Sequence, residues 1–347
     1  MALSKLRRKE IMDALLYEIG RNQFIKGFSV NTFADAHGLS KQSIYRYLTT
    51  LENDLKIGKP QGKGSYRLLG DHHQFSYSVS NLKEDIVWRR DIDPLLHDLP
   101  EIALRTCYYI FSEMLNNAID HSEGTDVAIN VIINAHDISF HIADNGVGIF
   151  TKIASAMQLE EKRFAVMELA KGKFTTDPES HSGEGIFFSS KASDVFGILS
   201  DGLIFSTINF RDEESERLID HKYAERNGTT VFFVVFRNHS MTTQELFDRY
   251  TEEPDHYGFT KTVVPVKLLE YGEARPVFIS RSQAKRLLVR FERFERIELD
   301  FSGIDEIGQG FADEVFRVFP SQHPNSRITT INCNSSVERM IKHVSRR

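Results

Sequence analysis

The sequence predicts a multi-domain α+β protein, with a helical unit at its N-terminal end and two mixed α/β units after it. Three observations lead there. The chain has 347 residues, and at about 100–200 residues per domain that length predicts two or three domains. Apolar spacing is helical up to about residue 55 and mixes strand and helix periods from about residue 71 onward. Charge divides at the same place: residues 1–70 hold 12 Lys+Arg and 6 Asp+Glu, a balance of +6 in a chain of net −6, so the remainder carries −12. A basic segment on an acidic body predicts a local contact with a polyanion.

Composition narrows the class. With 41% apolar and 27% charged residues the chain reads as an ordinary globular protein, and nine prolines argue against a disordered or fibrous one. No apolar run approaches the roughly 20 residues that span a bilayer, and Val231 to Phe236 is strand-length. Met1 to Lys5 leads into charge rather than an apolar signal core, and two cysteines, Cys107 and Cys333, cannot build a disulfide framework. A cytosolic chain with no membrane partner is the expectation.

In residues 1–70, Arg8 to Gly20 has helical spacing, with Ile11, Leu15 and Ile19 on one stripe. Val30, Phe33 and Ala34 begin a second helix, stopped by Gly38. Ser40 stands at the N-cap of a third that runs to about Leu55. A basic, glycine-rich stretch follows (Lys56, Gly58, Lys59, Pro60, Gly62, Lys63, Gly64), then Tyr66 to Leu68. In the third helix Ile44, Tyr47 and Leu51 can face inward, so that Lys41, Gln42, Ser43 and Arg46 project outward. Such side chains suit base edges and phosphates in a major groove, and Lys59 and Lys63 suit phosphate contact. Over residues 8–70 the pattern resembles the winged helix-turn-helix of bacterial regulators, which implies duplex DNA as a partner. A three-helix protein-interaction module is the alternative.

Residues 71–99 show short apolar alternations (Phe75, Tyr77, Val79; Ile86, Trp88), read as linker and first strands of the domain that follows over 100–240. Pro100 opens a helix to about His121, with Ala103, Cys107, Ile110 and Met114 as its core stripe. Glu113, Asn117 and His121 recur at i, i+4, i+8 on another face. A carboxylate and an amide so placed can serve one site: the amide oxygen can ligate Mg²⁺, and the carboxylate can orient or deprotonate a water or hydroxyl. Val127–Val131 and Ile138–Ile142 read as a hairpin. After it comes Asp144-Asn145-Gly146-Val147-Gly148, where glycines admit a ligand close to the backbone and the carboxylate can accept from an exocyclic amine. Gly183-Glu184-Gly185 can open a helix whose amides hold phosphates. Gly228-Thr229-Thr230 leads the strand Val231–Val235.

Four motifs in this order resemble the GHKL superfamily of ATP-binding domains, over about residues 72–236. The resemblance implies a Bergerat-type α/β sandwich with ATP and Mg²⁺ as cofactors. It assigns Glu113 as the catalytic glutamate and Asn117 as the Mg²⁺ ligand. It makes Asp144 the adenine-reading aspartate, with Gly146 and Gly148 shaping the floor and Asp120 assisting through water. Gly183 and Gly185 become the phosphate-side glycines, and Thr229 or Thr230 the adenine-side threonine. Phe150–Ser182 becomes the lid, with Lys171 and Lys173 as phosphate contacts. Glu113-Met-Leu-Asn-Asn117 is most similar to the anti-sigma-factor serine kinases. The interval Gly185–Gly228 is longer than in that group, and its run Arg211–Arg217 reads as a solvated loop or hairpin. No Walker-type loop or dinucleotide fingerprint occurs. His97-Asp98-Leu99-Pro100 looks like a phosphoacceptor motif, but it leaves no room for a dimerisation hairpin before Glu113. His72-His73 reads as loop rather than metal site.

Residues 258–347 read as strands at Val263–Val266, Val277–Ile279, Ile297–Phe301 and Ile328–Ile331. Helices are expected at Arg281–Phe291, Phe311–Phe319 and Ser336–Val344. Leu299-Asp-Phe-Ser-Gly, with Gly310 beyond it, resembles STAS domains. Where that resemblance implies an Asp-Ser phosphoacceptor, this chain has Gly308-Gln309-Gly310, and Ser302 is a poor substitute. The unit is therefore expected to dock rather than to accept phosphate. The leading expectation is an ATP-responsive DNA-binding regulator. A serine/threonine kinase acting on a separate protein and a binding-only domain are the alternatives. Expected partners are duplex DNA, ATP, a protein at the STAS-like unit and a second copy of the chain.

Overall fold

The computed structural model describes residues 5–23, 28–58, 66–174, 183–210, 215–220, 227–251, 259–270 and 278–345. Three helices, α1 (Lys5–Gln23), α2 (Val30–His37) and α3 (Lys41–Asn53), precede a two-stranded antiparallel ladder of β1 (Ile57–Gly58) and β2 (Arg67–Leu68). Ile11, Leu15, Ile19, Phe33, Ile44, Leu48, Leu51, Ile57 and Leu68 form their core. The Ser40 hydroxyl accepts from the Ser43 amide at the start of α3, and Gly38 ends α2 in the left-handed region at φ 62°. Leu48 takes the buried place expected for Tyr47, which is only half-buried. Helix α1 does not stop at Gly20 but runs one turn further. There the missing side chain admits the His136 ring: a Cβ on Gly20 would lie 2.0 Å from the ring's Cδ2.

The second unit is a seven-stranded sheet of order β3-β4-β5-β9-β6-β7-β8, with every neighbouring pair antiparallel. Its strands are β3 (Gly70–Ser78), β4 (Asp126–Asn134), β5 (Asp137–Asp144), β6 (Val195–Ser200), β7 (Leu203–Ile208), β8 (Ser215–Asp220) and β9 (Thr229–Phe236). The apolar faces of β4, β5 and β9 bury Ile129, Phe140 and Phe233 under the long helix α5 (Glu101–His121), which follows the short α4 (Glu84–Val87). Ile86 and Trp88 therefore lie in short helical turns, not in strands, and His72-His73 is on β3, not in a loop. The stretch expected to be a lid is largely helical: α6 (Ile149–Met157) packs one face and α7 (Arg163–Lys171) nearly its whole surface into the core, the connection between them is exposed, and residues 175–182 lie outside the described residues. Helix α8 (Gly185–Ala192) follows. Of the loop or hairpin expected at Arg211–Arg217, residues 215–217 belong to strand β8, antiparallel to β7, while residues 211–214 lie outside the described residues.

Helix α9 (Thr243–Arg249), closed by a Thr242/Glu245 capping box, leads to the third unit. That unit has three parallel strands, β10 (Lys261–Pro265), β11 (Arg296–Asp300) and β12 (Arg327–Ile331), in sequential order. Its helices are α10 (Arg281–Leu288), α11 (Gln309–Asp313) running through a π turn into α12 (Phe319–Gln322), and α13 (Ser335–Ser345). Helix α10 is shorter than expected because Arg290 turns left-handed at φ 64°. Phe278 makes a single bridge to Ile307 rather than a strand, and Val277 lies outside the described residues. Phe187 and Phe188 of α8 meet Tyr250 and Phe259, and Phe259 in turn meets Phe294, so the two α/β units share one continuous core.

Candidate functional site

A cavity lies between α5, the β5–α6 turn and the N-terminus of α8. Helix α5 is aimed by its apolar stripe: Ala103, Cys107, Ile110 and Met114 are all buried, which turns Glu113, Asn117 and His121 toward the cavity. Glu113 rests against the first residue of α8, where a Cβ on Gly185 would lie 2.1 Å from its Oε2. Asn117 brings a buried Nδ2 that has no partner among the described residues. A buried amide without a partner costs free energy unless a ligand or water supplies one.

Across the cavity, Asp144 ends β5. Its Oδ1 accepts from the Gly146 amide at 2.9 Å and the Thr229 amide at 3.1 Å. Both bonds use one oxygen, which leaves Oδ2 for a ligand. Burial pushes the carboxyl above its ordinary range, and the two amides oppose that shift. Thr229 closes the ring, since its hydroxyl accepts from the Ile149 amide at 3.0 Å and so caps α6. Asn145 has a structural part, with its Oδ1 accepting from the Thr125 and Asp126 amides.

The cavity brings together Glu113, Asn117, Asp144, Gly148, Gly183, Gly185 and Thr229. Asp120, Gly146 and Thr230 are not among its lining residues. Successive strand residues face opposite ways, so Thr230 faces away where Thr229 faces in. Two expected phosphate contacts are elsewhere. Lys171 is completely buried, its Nζ donating to Glu168 at 2.5 Å and to the Val289 carbonyl at 2.9 Å. Lys173 donates to the Arg293 carbonyl at 3.2 Å and lies over the rings of Phe259 and Phe294. The cavity also holds residues that spacing did not single out: Lys152, Phe174 and the apolar wall Ile142, Ile149, Ile153 and Val231. Lys152 donates to the His121 carbonyl at 2.7 Å and to Glu123 at 2.9 Å. Its position one turn after Gly148 is the only local signal for it.

In the N-terminal unit Lys41, Gln42 and Arg46 are exposed and Ser43 is half-buried on the first turns of α3, its hydroxyl 2.9 Å from that of Ser40. Lys59 and Lys63 lie outside the described residues. His97 is exposed in the turn before α5. Among the described residues no group of three or more His, Cys, Asp or Glu side chains could hold a metal, and no helix is long and apolar enough to cross a membrane.

The sheet, the helix behind it and the cavity between them define the class. Residues 103–237 match the family "Histidine kinase-, DNA gyrase B-, and HSP90-like ATPase", and the chain carries such an ATPase domain. Residues 283–338 match a STAS-like domain of unknown function, DUF4325. Among curated proteins the chain is similar to the sensor protein kinase GraS of Staphylococcus aureus strains Newman and USA300 and to the sensor histidine kinase GraS of strain NCTC 8325. Each is 25% identical over 198 residues, which is 57% of this chain and 49% of the relative. The chain thus spans about half the length of these relatives.

Proposed function

We propose that the chain is an ATP-binding regulator in which Mg-ATP in the α5–α8 cavity controls an N-terminal DNA-binding unit, with the STAS-like unit as a docking module. The observation that carries this reading is the convergence on one cavity of the Asn117 side chain, whose Nδ2 has no partner among the described residues, a half-free Asp144 carboxylate and the Gly183/Gly185 backbone. In this reading Asp144 Oδ2 accepts from the adenine amine, and the Asn117 amide oxygen holds magnesium. The amides at Gly183 and Gly185 hold the phosphates at the N-terminus of α8. Mg-ATP, when bound, supplies an electrophilic terminal phosphoryl group. Glu113 orients or deprotonates the attacking oxygen.

The test is calorimetric titration of Mg-ATP. Asp144→Asn presents an NH₂ where an acceptor is needed. Losing one good bond to a charged group costs about 1.5–3 kcal/mol, so affinity falls roughly ten- to a hundredfold. Glu113→Ala keeps binding and loses any turnover by about 10²–10⁴-fold. Equal affinity in the wild type and Asp144→Asn overturns the assignment. The DNA half is tested by anisotropy of a labelled duplex across a salt series, with and without Mg-ATP. Arg46→Ala weakens binding and reduces the log–log salt slope by about 0.9 if it grips a phosphate. A flat salt response assigns residues 1–70 to protein contact instead.

A second reading, a serine/threonine kinase acting on a separate protein, is favoured by the Glu113 carboxylate set against Gly185 inside the cavity. Label transferred from ATP to an added partner protein, and lost in Glu113→Ala, supports the kinase; phosphate release alone supports the regulator.

A further inference from the structure

We propose that Arg290, in the STAS-like unit, is a positioning residue for the nucleotide site: it fixes the turn that sets the phosphate-side wall of the cavity. The proposal rests on the reading above, in which the Gly183/Gly185 end of the cavity takes the phosphates.

The turn follows α7 and is built from two residues in unusual backbone conformations. Gly172 has φ 80° and ψ −176°, a region open essentially to glycine alone, and Lys173 has φ 52°. A Cβ on Gly172 would also lie 2.6 Å from the Phe259 ring. Two such residues in succession persist only where the surroundings over-determine them. Arg290 supplies that restraint. Its Nη2 donates to the Gly172 carbonyl at 2.8 Å and also to the Lys173 carbonyl, while Nη1 donates to Glu168 at 3.0 Å. Its guanidinium lies 5.3 Å from the centre of the Phe174 ring.

Phe174 is where the turn reaches the site. It lines the cavity, and its amide donates to the Gly183 carbonyl at 3.1 Å. A short covalent and hydrogen-bonded path therefore runs from Arg290 through Lys173 and Phe174 to Gly183.

Charge balance alone does not require the arginine. Glu168 is already paired with the buried Lys171, and it is Nη2 of Arg290 that serves the Gly172 and Lys173 carbonyls, while the buried Nε has no partner among the described residues. A planar fork reaches the carboxylate with one nitrogen and the two carbonyls with another, whereas an ammonium offers its three donors from a single point. Thr262 of β10 assists, its hydroxyl donating to the Lys171 carbonyl at 2.8 Å.

The experiment uses the full chain, with calorimetric titration of Mg-ATP and, separately, of adenosine, which lacks the phosphates. Arg290→Lys keeps the charge and loses the fork. If the wall is then in place about one time in ten, the apparent ATP affinity falls about tenfold while adenosine affinity is unchanged. Thr262→Val, which removes a different bond to the same turn, shifts ATP affinity in the same direction by less, and gives the answer if Arg290→Lys does not fold. Equal ATP affinity in the wild type and the folded variants overturns the proposal. Equal loss of ATP and adenosine binding also overturns it, because Arg290 then only holds the fold. A wild-type chain that binds neither compound overturns the nucleotide reading itself, and the proposal with it.

Discussion

The ATPase domain is joined to its two neighbours in opposite ways. At the N-terminal junction the contacts are rings: Tyr17 of α1 meets His136 edge-on at 5.0 Å, Arg21 lies 5.6 Å over Phe210, and Gly20 sits beneath the His136 ring. At the C-terminal junction they are directional and charged: Glu168 and Lys171 of α7 with Arg290, and Thr262 with the Lys171 carbonyl. Ring contacts are worth only about 0.5–1.5 kcal/mol each beyond the area they bury, so a junction made of them yields at low cost. Buried ion pairs are all-or-none, because a half-made one strands a charge in low dielectric. The contrast predicts an N-terminal unit free to reorient and a STAS-like unit that moves with α7 as one piece.

The largest effect tests the charged junction. Burial pulls the pKa of Lys171 and of Arg290 down, and the Glu168 carboxylate opposes that shift in both. Glu168→Ala leaves two buried cations facing each other without their counter-ion. Removing one member of a buried pair costs about 3–5 kcal/mol. Urea unfolding of the full chain is expected to show this as a lower midpoint. A midpoint within experimental error of wild type would mean that water reaches the cluster, and the C-terminal junction would then be as loose as the N-terminal one.

The next effect tests the ring junction. Gly20→Ala adds one methyl group where the His136 ring already lies, at a would-be separation of 2.0 Å. Overpacking of this kind costs about 1–3 kcal/mol, and the gain of roughly 1 kcal/mol in helix propensity offsets part of it. The ring contacts should yield before the core does. The expected result is a small loss of thermal stability with a large rise in proteolysis at Leu69, the connection between β2 and β3. A stability loss as large as that of Glu168→Ala would mean that the N-terminal unit is locked too.

This difference in chemistry also decided what could be read from sequence. Helix α5 and the Asp144 turn were legible because each carries a local pattern: a 3.6-residue apolar stripe, and an aspartate followed by glycines. The hairpin β6–β7 had a local signal too. Asp201-Gly202 stands between two apolar runs, both residues at positive φ, yet the charge that follows in the Gly185–Gly228 interval draws the eye to a loop. Lys171 and Lys173 had no such signal. A lysine in a nucleotide domain reads as a phosphate contact, and it takes Glu168 together with the Val289 carbonyl, more than a hundred residues away, to hold Lys171 as a core residue. The same holds for Gly20, whose partner His136 comes from another unit. Local periodicity finds elements and turns; junctions between units are long-range and leave no periodic trace.

The smallest effect concerns pH at the ring junction. Asp137 is fully buried beside His136. Its Oδ1 accepts from Asn134 at 2.8 Å and from Ser139 at 3.2 Å, while its buried Oδ2 has no partner among the described residues. Burial pushes its pKa up to about 6 from 3.8, against the pull of those bonds. A carboxyl whose folded pKa is raised favours the folded state while protonated. That contribution is complete below pH 3.8 and is lost as pH rises through about 6. Asp137→Asn keeps the two accepted bonds and cannot ionise, so it escapes the loss. Its new Nδ2 finds no acceptor at the orphaned position, which takes back part of the gain, and the net advantage is about 1 kcal/mol at neutral pH. His136 does not confuse the sign. Burial lowers its pKa to about 4, so it destabilises the fold only as pH falls below 6.5, equally in wild type and variant. Thermal midpoints of the two proteins should therefore diverge as pH rises from about 4 to 6 and run parallel above about 7. A constant offset across that range would show that Asp137 is ionised throughout, and so that water already penetrates the ring junction.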